Sequence, residues 1–504
     1  MNTKSSKAMM RTVAAASLLL VTGIASAAVT TVNLTAQRTS TTLPDGVNVP
    51  MWGYCNSGDT TTIPAVPSTC ANPWAPGPTI VVSAGDSLTI KFTNNLPMPT
   101  SIVILGQLPG QAGATSAGGL GVPTRMTSPA HAPQSVTTWP GNGAPSAPFT
   151  PPTQGDRVRS FAQEVAPLAT VDLSWSNLKP GTYLYETGTL PSIQAPMGLY
   201  GVLIVTTAPT VAAGSAVPGK AYLGDPLNEV PYDSDTALLF SEIDPVQNKA
   251  VDAAAQAGAD VNKRFDDPSC PNPAITVNPP PAACYPAAVN YTPTYFLING
   301  QAYDKASPDK SAFAVAGTSA SPGSHSTGGS LLVRLVNAGL RTHIPSIVGL
   351  PMSIVAEDGN VAPGNPKIQN EVLLTAGKTH DVLVTPPSEA VATKYNPSIF
   401  SLFDRQLSLS TANTSDGGMQ GFLQVASAGA ITGGAGALPA GVTPTAVADS
   451  FNVPLNGSIN GNVKLNDIAV AGVAAQGSPA HGTLSFNADG TFVFTPETPR
   501  VLRR

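Results

Sequence analysis

The chain has 504 residues, 42% of them hydrophobic, which is enough for about three domains of roughly 100–200 residues each and excludes a single small domain. Charged residues are 11% of the chain, against about 25% in an average protein, while 47 Gly and 50 Pro exclude a coiled coil or a chain disordered by its charge. Lys plus Arg number 25 and Asp plus Glu 30, so the net charge of −5 leaves no basic stripe to neutralise phosphates, and nucleic acid is not an expected partner.

The N-terminus carries Lys4, Lys7 and Arg11, then the apolar run from Val13 to Gly23, then Ala25-Ser26-Ala27. This is the order of a secretory signal peptide, so residues 1–27 are predicted to be removed after Ala27. The run is shorter than the roughly 20 residues that span a bilayer, and no later segment is long enough, so no transmembrane segment is predicted. The expected locations are the extracellular space, the cell surface or the periplasm. An oxidising environment there favours disulfides. The four cysteines fall into two local pairs, Cys55 with Cys70 and Cys270 with Cys284, each in a Pro-rich stretch.

Strand signals dominate from Ala28 to about Ala208. Thr79-Ile80-Val81-Val82 precedes a turn at Ala84-Gly85-Asp86, and Ser87-Leu88-Thr89-Ile90-Lys91-Phe92 alternates with period 2, as Val171 to Trp175 does. Thr182 to Tyr185 follows a Pro180-Gly181 turn, and Gly201 to Val205 reads as a buried closing strand. The stretch from Gly106 to Gly155, rich in Gly, Pro, Ser and Ala, has no assignable element. From about Val217 to Ser427 the clearest strands are Ala237 to Phe240, Tyr295 to Ile298, Leu331 to Val336 and Asp381 to Val384, and Asp244 to Lys263 is the one convincing helix. An Ala/Gly tract at 428–445 reads as a linker. The remainder, 446–504, is a short β unit with a hairpin turn at Asn487-Ala488-Asp489-Gly490-Thr491.

Several motifs carry a resemblance. Pro76-Gly77-Pro78-Thr79-Ile80, Gly85-Asp86, Asn94-Asn95-Leu96-Pro97, Pro180-Gly181-Thr182-Tyr183 and Met197-Gly198-Leu199-Tyr200-Gly201 resemble, in order and spacing, the first cupredoxin domain of multicopper oxidases. Ile298-Asn299-Gly300, Val333 to Gly339 and Glu357-Asp358-Gly359 resemble that family's second domain. The end of the chain is similar to bacterial cadherin-like and Ig-like repeats through Val447-Ala448-Asp449-Ser450, Gly461-Asn462-Val463, Asn466-Asp467 and His481-Gly482-Thr483-Leu484. The resemblance implies an all-β chain: two cupredoxin-like Greek-key β-sandwich domains at 28–208 and 217–427, plus a short, incomplete Ig-like unit at 446–504.

In that family the first domain supplies half of a three-copper oxygen site through two His-x-His motifs, because alternate residues of an extended segment point the same way. Carried onto this chain, the ligand positions hold Val103 and Leu105 in the first motif and Glu186 and Gly188 in the second. Only one of the four is a carboxylate and none is an imidazole. The chain has five histidines, His131, His325, His343, His380 and His481, with no two within ten residues, and no cysteine follows Cys284. An eight-imidazole oxygen site and a blue-copper Cys/His set cannot be assembled from this inventory. Weak metal candidates remain at His131 and at His343 with Met352.

Three functions compete. The leading expectation is an exported, non-catalytic surface or binding protein with no catalytic residue and no cofactor in this chain, and with a cell-surface or extracellular-matrix partner. The alternative is the N-terminal portion of a large extracellular multicopper oxidase, a copper-dependent oxidoreductase of metal ions or phenols whose centres lie beyond this chain. The third is a protein with one weak copper site at His131 or His343. Two further expectations concern packing: Asp404-Arg405 as an internal ion pair, and Phe486, Phe492 and Phe494 without a complete core to enter or a neighbouring domain to shield them.

Overall fold

The computed structural model describes residues 28–58, 68–108, 111–112, 124–126, 152–153, 155–212, 215–223, 229–258, 285–286, 288–316, 330–386, 398–412, 414, 417–426, 448, 450–451, 453, 457–463, 473–474, 477–488 and 490–497. The segment 1–27 expected as a signal peptide, the 428–445 tract, His131, His325, Cys270 and Cys284 lie outside them.

Strand formation follows the alternation. In Ser87–Asn94 every second residue, Leu88, Ile90, Phe92 and Asn94, is buried, and each large apolar side chain removed from water contributes roughly 1.5–3 kcal/mol. The first block has two sheets. In one the spatial order is Asn48–Asn56, Val29–Thr42, Ser87–Asn94, Thr170–Trp175, Gln111–Ala112; in the other it is Gly77–Ser83, Tyr200–Thr206, Gly181–Glu186, Val103–Ile104. Their inner faces meet in one core that holds Trp52, Ile90, Phe92, Tyr183, Tyr185 and Leu203. The arrangement is a sandwich.

The second block repeats the plan. One sheet runs Tyr295–Ile298, Ser234–Ile243, Leu331–Asn337, Thr379–Val384, Met352–Glu357, Asn360–Val361, with Lys367–Gln369 also paired to Met352–Glu357; the facing sheet runs Ala312–Ala316, Gln420–Ala426, Ser398–Asp404, Pro345–Ile347. Phe240, Leu335, Met352, Val382, Leu402 and Leu423 fill the space between. The all-β expectation holds.

The helix expected over Asp244 to Lys263 is shorter than the sequence implied. Asp244 caps it by accepting from the Val246 and Gln247 amides at 3.0 and 3.2 Å, and it runs Pro245–Gln256. Gly258, at φ +68°, stops it, since the left-handed turn that ends a helix is open to glycine at little cost. Residues 259–263 lie outside the described set.

The two blocks are joined by an apolar seam that includes Met51, Tyr200, Val202, Leu239, Ile243 and Val336. Polar bonds cross it too. Arg38 donates twice to Asp252 at 2.8 Å, and the Trp52 indole donates to the same carboxylate at 3.0 Å. Among the described residues no helix is long and apolar enough to cross a membrane.

Near the C-terminus, Ile459–Asn462, Thr491–Thr495 and Thr483–Phe486 form a three-stranded antiparallel sheet in that order. Phe492 is buried, with its ring 4.8 Å from Phe451. The expectation of uncovered phenylalanines is corrected for Phe492 alone, Phe486 and Phe494 being half-buried, and the unit does touch the first block: the Gly461 backbone packs on the turn at Gly46, so closely that a Cβ at Gly46 would lie 2.4 Å from the Gly461 carbonyl oxygen.

Candidate functional site

Of the four positions where the sequence places oxidase ligands, two stand directly opposite each other and the other two lie at opposite ends of the same pairing, Leu105 beside Leu184 and Gly188 beside Ser101. Gly181–Glu186 pairs antiparallel with Val103–Ile104, and Glu186 stands opposite Val103. Leu105 continues that pairing through its amide, which donates to the Leu184 carbonyl at 3.0 Å. Glu186 ends an interior strand, flanked by Val103–Ile104 on one side and Tyr200–Thr206 on the other. Burial pushes the Glu186 carboxyl up to about 7.

Gly188 is tightly packed. A Cβ there would lie 3.1 Å from Ser101 Oγ and 3.2 Å from both Ala162 Cβ and its backbone nitrogen. The surrounding space is occupied by Thr100, Ser101, Ser160, Thr187, Thr189 and Gln194, each no more than 1% exposed. Thr100 and Thr187 both donate to Gln194 Oε1 at 2.8 Å, and the Gln194 amide donates to the Pro99 carbonyl at 2.9 Å. Ser101 lies 2.9 Å from Thr189, Thr189 donates to Ser160 at 2.9 Å, and Ser160 donates to the Ala162 carbonyl at 2.8 Å.

His343 lies elsewhere, inside the second block. Its Nδ1 is 3.1 Å from Asp404 Oδ2 and its Nε2 is 3.8 Å from Glu242 Oε1, with all three side chains at 0% exposure. Asp404 also accepts from the Ile344 and Gln406 amides at 2.7 and 3.0 Å. Burial works against a charged imidazole, but the Asp404 and Glu242 carboxylates outweigh it and raise His343 to about 9. Burial also opposes the charged form of Asp404, yet His343 and the two amides hold it below the usual carboxylate range. The expected Asp404-Arg405 pair is thus replaced. Asp404 serves His343, and Arg405 reaches Glu371 at 3.6 Å on the surface, because consecutive strand residues face opposite ways. Met352 is fully buried in the apolar core. Among the described residues no three His, Cys, Asp or Glu side chains converge as a metal cluster.

A second polar group was not anticipated. Arg334, at 0% exposure, donates to Asp235 at 2.8 Å and to Thr182 of the first block at 2.9 Å, lies 3.5 Å from Asp381, and has its guanidinium 5.4 Å from the Tyr232 ring centroid. Thr182 and Tyr222 both donate to Asp381, the former at 2.7 Å. An arginine inside the apolar run Leu331–Asn337 is the sequence signal that would have found it. The Thr100-Ser101 and Thr187-Gly188-Thr189 runs are the corresponding signal for the hydroxyl cluster.

Cys55 and Cys70 form the disulfide expected from their spacing, with Cα atoms 5.0 Å apart. Beside it lies a cavity of about 210 Å³ whose walls include Gln37, Thr39, Cys55, Asn72 and Trp74; none of the expected ligand positions lines it.

Residues 58–132, which span Val103 and Leu105, match the family model described as multicopper oxidase. The likeness is to multicopper oxidases. Residues 442–499 match the bacterial Ig domain model. Among solved structures, the blue copper oxidase from Nitrosomonas europaea aligns at 16% identity and TM-score 0.46, covering 79% of this chain and 86% of that one. The multicopper oxidase mgLAC aligns with the same identity, TM-score and coverage. The copper nitrite reductase from Nitrosomonas europaea aligns at 14% identity and TM-score 0.43 over 79% of this chain and 94% of that one. No curated protein matches the chain significantly in sequence.

Copper bound as the multicopper-oxidase resemblance implies does not fit the residues present. Two of the four positions carry hydrocarbon side chains, the third is a tightly packed glycine with no donor atom, and copper prefers imidazole or thiolate donors to a lone carboxylate.

Proposed function

We propose that this chain is an exported, multicopper-oxidase-like protein that acts as a non-catalytic surface or binding protein, with no copper centre of its own. In this reading 1–27 is a signal peptide, 28–208 and 217–427 are cupredoxin-like domains, 428–445 is a linker, and 446–504 is an adhesion-type repeat for a cell-surface or matrix partner. The observation that carries it is the state of the second ligand motif, where Gly188 is packed against Ser101 and Ala162 and Glu186 stands alone opposite Val103. Copper-dependent oxidation needs a metal that cycles while bound, and these groups supply no nitrogen or sulfur donor. Oxygen uptake by the purified full chain with a phenolic substrate and added Cu(II) tests the reading. Uptake equal to that of free copper is expected, and uptake well above it would favour an oxidase.

A further inference from the structure

We infer that the space around Gly188, one of the four ligand positions carried over from the family, is filled by a hydroxyl–amide knot, which ties four chain segments together without a metal. The inference deepens the reading above and rests on it. The segments are the stretch that ends at Ser101, the strand Arg157–Ser160, the loop 187–189 and the helix Pro191–Gln194.

The bonding runs in two branches. One branch runs from the Gly188 amide to Ser101 at 3.1 Å, from Ser101 to Thr189, from Thr189 to Ser160, and ends on the Ala162 carbonyl. The other gathers the Thr100 and Thr187 hydroxyls on the single oxygen Gln194 Oε1 and passes through the Gln194 amide to the Pro99 carbonyl. None of these six side chains leaves a buried polar atom without a partner. A fully satisfied buried network rigidifies its surroundings, whereas a partly satisfied one costs stability. Each buried polar atom of these six side chains has at least one internal partner, so the cluster is held by bonds within the protein.

The shared acceptor gives the knot a signature. If Thr100→Val removes one donor, Gln194 Oε1 keeps the other, and the same holds for Thr187→Val. The double variant leaves a buried carbonyl oxygen bare, which costs more than losing either bond. Thermal unfolding of the full chain should therefore show single-variant losses whose sum falls short of the double variant's loss by roughly 2–6 °C. Thr100→Ser/Thr187→Ser, which keeps both hydroxyls, should lose clearly less than the valine pair. If the valine pair does not fold, Gln194→Met provides the same reading, because Thr100→Val should lower the midpoint in the native background and not in the Gln194→Met background. Additive losses, or equal effects of Thr100→Val in both backgrounds, would overturn the knot. A rise in the native midpoint on adding Cu(II) bears on the copper-free reading, and the coupling is measured without copper.

Discussion

Glu186 and Tyr200 are direct neighbours across antiparallel strands, and Glu186 meets Val103 on its other side. The carboxyl group is therefore set between a phenol and a hydrocarbon. Its raised pKa follows from that position.

The sign of the pH effect is fixed by the shift. Glu186 moves from an ordinary 4.5 to about 7, so the folded state holds the proton more tightly. Its contribution is complete below about pH 4.5 and is lost as pH rises through about 7. Glu186→Gln should raise the melting midpoint relative to the native chain at pH 8 and leave it nearly unchanged at pH 4. A pH-independent difference would show that the carboxyl is not the group responsible.

His343 also binds its proton more tightly when folded, from an ordinary 6.5 to about 9. Stability from this group is full below about pH 6.5 and is lost as pH rises through about 9. His343→Gln should cost about 3–5 kcal/mol at pH 6, because it leaves two buried carboxylates without their cation. The gap between native and variant in denaturant titrations should narrow between pH 7 and pH 10. A gap that widens over this range would contradict the buried triad.

Arg334→Met removes the cation that faces Asp235 and Asp381 at the seam between the blocks. Breaking a buried pair in this way costs about 3–5 kcal/mol. The loss should be partly recovered in Arg334→Met/Asp381→Asn, measured by urea unfolding. No recovery would mean that the arginine acts through packing rather than charge.

The strands were legible because burial here follows alternation. Ser87 to Phe92 and Val171 to Trp175 announce themselves by period, and Tyr295 to Ile298 is found at the expected residues. The polar interior was not legible, because its partners are remote in sequence. His343 and Asp404 are 61 residues apart, Thr182 and Asp381 are 199 apart, and Ser101 and Thr189 are 88 apart. No local pattern marks such a pairing; only topology brings it together. The four ligand positions were readable from the motifs around them, but the packing that closes Gly188 depends on Ala162, 26 residues away in sequence, and on Ser101, 87 away.

Removing the Cys55–Cys70 disulfide with paired Ser substitutions should lower stability by about 3 kcal/mol, as expected for a loop of this length. Guanidinium unfolding of the oxidised native chain against the variant measures it. An unchanged midpoint would show that the loop is held by its other bonds, such as the one the Asn56 backbone amide donates to the Thr69 hydroxyl.

The proposal that this chain holds no copper centre of its own is tested most directly by loading the purified full chain with Cu(II), removing free metal by gel filtration, and measuring bound copper per chain together with the visible spectrum. The account predicts copper well below one ion per chain and no intense blue band, since that band requires a cysteine thiolate on copper. One or more tightly held copper ions per chain with a blue band would contradict it.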